Sequence, residues 1–243
     1  MSNITDITVI LDKSSSMTSY IDETIDGFNS FLEDQRQEEG EARMTLIQFS
    51  SHDEIDTVYQ DRDISQAPKI DNSVYIPGGS TALLDSIAKG IALGKSRESE
   101  HRERLYVIIT DGVENDSQEY DSAEEIKELV ESEREDGNEF IFLGAAEGVD
   151  AFDVSQSIGI QQGKTMSYSQ SNDDQYSNTY DAASSLISRT RNHDAEETAF
   201  SEDERSSTGG MENVTGNENI RGTMDEKFER MIEEYEEKLD NNS

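Results

Sequence analysis

Short apolar runs at residues 4–11, 43–49, 104–110, 139–144 and 163–168 alternate with segments whose apolar residues recur at helical spacing. This alternation is the tightest constraint on the fold. Strands that are apolar on both faces need cover on both faces, and helices between them supply it. Ile21, Ile25, Phe28 and Leu32 mark one helical face over 19–36, and Leu84, Ile87, Ala88 and Ile91 mark another over 82–95. Further helices are predicted at 122–135, with Ser122 and Glu125 as a capping box, at 149–157 and at 174–190. The turn Ser50-Ser51-His52-Asp53 sends the chain back through 54–60 as an antiparallel edge strand, and 61–81 reads as irregular. The expected fold is α/β: a doubly wound, mostly parallel sheet of six strands with one antiparallel edge.

The pattern stops near residue 191. Residues 192–222 are polar, acidic and rich in Gly, Ser and Asn, with little to bury, and read as a flexible linker. A last helix is expected within 223–243. Thr223 and Glu226 form its capping box, and Met224, Phe228, Met231, Ile232, Tyr235 and Leu239 form one stripe. A stripe of this kind over 224–239 docks on the domain, self-associates or binds a partner. The expected division is therefore a domain at 1–191, a linker at 192–222 and a helix at 223–243.

Charge narrows the function classes. The formal net charge is -35, and it is not confined to a tail, since residues 1–191 hold 39 acidic against 15 basic side chains. Such a chain repels nucleic acid and anionic membranes. It also repels itself at low ionic strength, and concentrated salt relieves that repulsion. The composition resembles that of proteins from salt-in halophiles or their viruses. There is no cysteine, so disulfides and thiolate metal sites are excluded. No apolar run reaches the roughly 20 residues of a membrane helix, and the opening Met-Ser-Asn-Ile-Thr-Asp lacks the regions of a signal peptide. The expected location is the cytoplasm, or a virion if the protein is viral.

The residues that carry chemistry follow the strands. Asp12, Ser14 and Ser16 come directly after the first strand, Asp111 directly after the strand ending at Thr110, and Thr81 ends a Gly-rich loop before a helix. In an open α/β sheet, ligands sit beyond the carboxyl ends of strands where the strand order reverses. If the two strands are neighbours, these loops meet. Carboxylate and hydroxyl oxygens are hard ligands, suited to Mg2+ or Mn2+. Glu114 and Asp116 flank the site loop as rim groups or as ordinary acidic surface. Asp85, one turn into the helix after Thr81, either supports the site or faces solvent. His52, His101 and His193 show no ligand spacing.

Asp12-Lys13-Ser14-Ser15-Ser16, Thr81 and Thr110-Asp111-Gly112 resemble the metal-ion-dependent adhesion site (MIDAS) of von Willebrand factor A domains. The flanking residues match too: Val9-Ile10-Leu11, Gly79-Ser80-Thr81-Ala82-Leu83 and Val107-Ile108-Ile109. The resemblance covers roughly residues 4–190. It is nearest to small stand-alone members from bacteria, archaea and their viruses, including the stretch Glu139-Phe140-Ile141-Phe142-Leu143-Gly144-Ala145. It implies a Rossmann-like sheet. It also implies a divalent metal touched by Ser14, Ser16 and Thr81, with Asp12 and Asp111 acting mainly through water. Ser15 stands where the family usually has glycine. The implied function is binding of a partner protein that offers an Asp or Glu to the metal, without catalysis.

Two rivals remain at this level. One is a structural or assembly protein of a halophilic virus with the C-terminal helix as a docking element, or else an ATPase-regulating subunit. The other is a Mg2+-dependent phosphohydrolase with Asp12 as nucleophile. The phosphohydrolase reading is weak, because Ser14 stands where a second Asp is wanted, and no phosphate-binding Gly-rich lysine motif is present.

Overall fold

The computed structural model describes residues 4–97, 102–145, 150–169, 173–192 and 198–209. The chain divides into two units, residues 1–212 and 213–243, and every described residue belongs to the first. The predicted helix at 224–239 and the linker beyond residue 209 therefore lie outside the described residues, as do His101 and His193.

Six strands form one sheet: β1 (Ile4–Asp12), β2 (Ala42–Phe49), β3 (Ile55–Asp63), β4 (Arg102–Thr110), β5 (Glu139–Ala145) and β6 (Thr165–Tyr168). Their order is β3-β2-β1-β4-β5-β6. All pairings are parallel except β2 with β3, the antiparallel edge expected from the turn at 50–53. A register irregularity in that pair lets β3 run on to Asp63, beyond the predicted end at residue 60. There Asp61 adopts a positive φ of 50°, and its amide donates to Thr45 Oγ1 at 3.1 Å.

The central strands are apolar throughout, and alternate residues serve opposite faces. Ile7, Val9 and Leu11 of β1 join Leu105, Val107 and Ile109 of β4 in one core. That core also holds Phe28 and Leu32 of α1 (Ile21–Gln37) and Leu186 and Ile187 of α5 (Asp173–Arg191). Ile10, Ile108 and Phe142 face the other way. They meet Ile87 of α2 (Leu83–Lys95), Val130 of α3 (Ala123–Glu135) and Ala151 of α4 (Ala151–Ser157). Among the described residues, no helix is long and apolar enough to cross a membrane.

Two local expectations need correction. Ser122 caps no backbone amide of α3. Its hydroxyl instead donates to the Glu125 carboxylate at 3.3 Å, and Glu125 also accepts from the Asp121 amide at 3.1 Å. Residues 198–209, which the sequence places in the linker, pack on the domain. Phe200 and Thr208 are buried, and helix α6 (Glu202–Ser207) opens with a capping box between Ser201 and Glu204. The Arg205 guanidinium lies 5.5 Å from the Phe152 ring and 5.6 Å from the Phe200 ring, and it donates to the Thr165 carbonyl at 2.6 Å. One cation shared between two rings and a strand-end carbonyl holds this segment where the apolar content is thin.

Candidate metal centre

β1 and β4 are neighbours, and they are the pair at which the strand order reverses. Leu11 is level with Ile109, so Asp12 and Thr110 leave the sheet side by side. Asp12 is fully buried. Its Oδ1 accepts from the Ser14 amide at 2.6 Å, and its Oδ2 accepts from the Thr110 hydroxyl at 2.6 Å. The Tyr75 hydroxyl donates to the Asp12 carbonyl at 2.7 Å. The carboxylate therefore has one orientation, fixed from both flanking loops.

The other predicted donors converge on the same place. Ser14 Oγ and Ser16 Oγ are 3.0 Å apart, and the Ser16 hydroxyl donates to Asp111 Oδ1 at 2.6 Å. Thr81 is brought in by the 111–115 loop. Its amide donates to Asn115 Oδ1 at 2.8 Å, and its carbonyl accepts from the Asn115 amide at 3.0 Å. A Cβ added at Gly112 would sit 2.9 Å from Thr81 Oγ1 and 3.6 Å from Asp12 Oδ2. Thr81 and Asp12 thus approach each other across a residue that must lack a side chain. Gly79, with φ of 79°, is required in the loop before Thr81 for a second reason, since a Cβ there would meet Ser51 Oγ at 2.6 Å.

Burial pushes the Asp12 carboxyl up to about 7. The Thr110 hydroxyl and the amide and hydroxyl of Ser14 pull it down, and the neighbouring Asp111 charge adds to the rise. Among the described residues Asp12 has no ion pair; the nearby Lys13 is turned to Asp56 at 3.0 Å. A buried carboxylate without a cationic side chain, faced by three hydroxyls and a second carboxylate, is a donor set that fits a hard divalent ion. No group of three or more His, Cys, Asp or Glu with metal-holding placement occurs among the described residues. The fit thus rests on hydroxyl oxygens as much as on carboxylates.

Glu114 and Asp116, read from the sequence as rim groups or acidic surface, both accept from backbone amides. Glu114 Oε2 accepts from the Leu84 amide at the start of α2 at 2.9 Å. Its Oε1 accepts from the Asp116 and Ser117 amides at 2.9 and 2.7 Å. Asp116 accepts from the His52 amide at 2.9 Å and faces the His52 ring at 3.2 Å. Asp85 is buried and gathers the Gln118, Glu119 and Tyr120 amides. These three carboxylates brace the loop that carries Asp111. Thr110, Tyr75 and Asn115 were not singled out in the sequence as supports. Only Thr110 left a signal there, as the last residue of the strand before Asp111.

Comparison with known proteins agrees with this fold. A family model described as the von Willebrand factor type A domain matches residues 6–182. No curated protein matches the sequence. Among solved structures, the pilus adhesin SpaC of Lactobacillus rhamnosus GG superposes with a TM-score of 0.63 at 15% identity, over 77% of this chain and 30% of that one. Proximal thread matrix protein 1 of the mussel byssus, with a zinc-occupied MIDAS motif, gives 0.54 at 16% identity, over 77% and 46%. Manganese-loaded TRAP protein of Plasmodium vivax gives 0.53 at 16%, over 76% and 72%. The chain thus spans less than half the length of the adhesin and of the mussel protein. At these identities the likeness is one of fold.

Proposed function

Because the chain belongs to the von Willebrand factor type A domain family, we propose that it is a binding module in which Mg2+, or Mn2+, captures an Asp or Glu side chain of a partner protein. The observation that carries this reading is the fully buried Asp12 carboxylate, without an ion pair among the described residues, facing Ser14, Ser16, Thr81 and Asp111. Ser14, Ser16 and Thr81 would hold the ion directly, and Asp12 and Asp111 through water. When bound, the ion supplies a positive seat for an anionic oxygen. The chain's own part is positional. Thr110 and the Ser14 amide fix Asp12, Asn115 holds Thr81, and Glu114 and Asp85 keep the 111–120 loop in place. Neutral hydroxyls as direct ligands leave the ion charge free to attract a carboxylate, which favours binding over hydrolysis.

The acidic surface repels an anionic partner at low salt, whereas direct coordination is screened much less than long-range repulsion. Capture therefore requires both the metal and salt. This suits a salt-filled cytoplasm, or a virion exposed to such conditions. The test is affinity capture from a native lysate in molar KCl. The expected result is partners retained by the native chain, and lost both with EDTA and with Thr81→Ala. The same partners under all three conditions would contradict the reading and shift attention to the segment at 224–239.

A further inference from the structure

Among the described residues, three large apolar side chains are exposed: Val74 at 39%, Ile76 at 65% and Val113 at 51%. Singly scattered apolar residues need no explanation. These three are not scattered, because all sit on the two loops that frame the metal centre. The 71–79 loop is tied to the Asp12–Ser16 loop at three points. The Gly78 amide donates to the Lys13 carbonyl at 2.8 Å, and the Ser15 amide and hydroxyl donate to the Gly79 carbonyl at 3.1 and 2.8 Å. Val113 follows Gly112, which lies against Thr81 and Asp12.

Ile76 is held outward by its neighbours. Tyr75 is buried, with its hydroxyl on the Asp12 carbonyl. Pro77 restricts Ile76 to extended backbone, and Gly78 is anchored to Lys13. An isoleucine fixed in solvent between two anchored residues has already lost the backbone freedom that binding would otherwise remove. Elsewhere a net charge of -35 makes the surface unfavourable for apolar contact, so exposed hydrocarbon at these loops is a selective feature.

We propose that Ile76, Val113 and Val74 form an apolar collar that selects a partner segment in which the captured Asp or Glu is flanked by large apolar residues. The inference rests on the metal-capture reading above and names its ligand class. In an extended segment successive side chains point to opposite faces, and residues two apart share one face about 6.6 Å apart, so the second residue on either side of the carboxylate faces the side chains rimming the metal. Burial of hydrocarbon needs no counter-charge, and it persists in salt that screens surface electrostatics. The collar thus supplies affinity where long-range charge cannot, and it disfavours acidic clusters whose further carboxylates would meet an acidic surface.

The experiment compares three peptides on the full chain in molar KCl with Mg2+: Leu-Gly-Glu-Gly-Leu, Ser-Gly-Glu-Gly-Ser and Leu-Gly-Gln-Gly-Leu, titrated by NMR. The expected result is that Leu-Gly-Glu-Gly-Leu binds roughly tenfold tighter than Ser-Gly-Glu-Gly-Ser, equivalent to ~1.4 kcal/mol. Substituting both Ile76→Ser and Val113→Ser should bring the ratio close to one, while the Mg2+-induced rise in Tm stays unchanged. Equal binding of the two Glu peptides to the native chain, or a preference that survives the double substitution, overturns the collar and leaves metal capture standing. If Leu-Gly-Gln-Gly-Leu binds as well as Leu-Gly-Glu-Gly-Leu, if binding persists in EDTA, or if neither Glu peptide binds, the capture reading falls and the collar with it.

Discussion

In the presence of chelator, the Asp12→Asn variant gains stability over the native chain as the pH rises from about 5 to about 8. The sign follows from the burial of Asp12, which raises its pKa from 3.8 to about 7 in the folded chain. The folded state holds that proton more tightly than the unfolded state does. The native chain is therefore favoured while Asp12 stays protonated, and it loses stability as the pH climbs through the window between the two values. Over the range from about pH 5 to 8 the loss amounts to about 2.5 kcal/mol, at ~1.36 kcal/mol per unit. For a domain of this size that is roughly 5–10 °C in Tm. Asparagine carries no charge to bury; its Oδ1 can accept from the Ser14 amide while its Nδ2 donates to the Thr110 hydroxyl oxygen, so its curve lacks this component. Comparing the two chains cancels the pH dependence of the other acidic groups. Mg2+ reverses the order at the higher pH, because the ion supplies the positive charge that the carboxylate otherwise lacks. Parallel melting curves for the two chains across this range, with and without Mg2+, would count against a charged Asp12 at the centre.

Salt has the second large effect. A net charge of -35, spread through the domain, is a repulsive load on the compact state. The screening length is about 3 Å in molar salt and about 30 Å at 0.01 M. At the higher value charges across the whole domain act on one another. Native circular dichroism is expected in molar KCl, with progressive loss of structure and of Tm as KCl falls to tens of millimolar. Much of the available basic charge is already committed, as where Arg97 and Arg102 both meet the buried Asp6 at 2.6 and 3.4 Å. Such pairs do little to offset the excess acid of the surface. A full native signal with unchanged Tm at low salt would contradict the inference that this composition is an adaptation to salt.

The site was legible because two buried strands end in chemistry. Val9-Ile10-Leu11 runs into Asp12 and Val107-Ile108-Ile109 into Thr110 and Asp111, so strand ends and donor positions coincide. The convergence of the five donors depended on β1 and β4 being neighbours, which the structure bears out. What sequence pattern did not reveal is long-range hydrogen bonding. Glu114 looks like any acidic loop residue until its carboxylate is seen on the Leu84 amide at the start of α2. Asn115 shows nothing in sequence of its double tie to Thr81 across 34 positions. Residues 198–209 were hidden for a different reason. They are polar by composition, and their attachment comes from Arg205, Phe200 and Thr208 at isolated places with no repeat. The capping box at Ser122 had the right residues, but Glu125 met the hydroxyl of Ser122 and the amide of Asp121 in place of the reciprocal backbone bonds.

Asp12, Ser14, Ser16, Thr81 and Asp111 are proposed to make one divalent-cation site. Titration of the full chain with Mn2+ in molar KCl, followed by electron paramagnetic resonance of the free ion, tests it most directly, because high salt suppresses loose binding to surface carboxylates. The expected result is a single tight Mn2+ per chain, displaced by excess Mg2+. That site is expected to be lost in Asp12→Ala and in Thr81→Ala, with the circular dichroism of both variants native. An unchanged tight site in both variants, or no tight site in the native chain, would contradict the proposal.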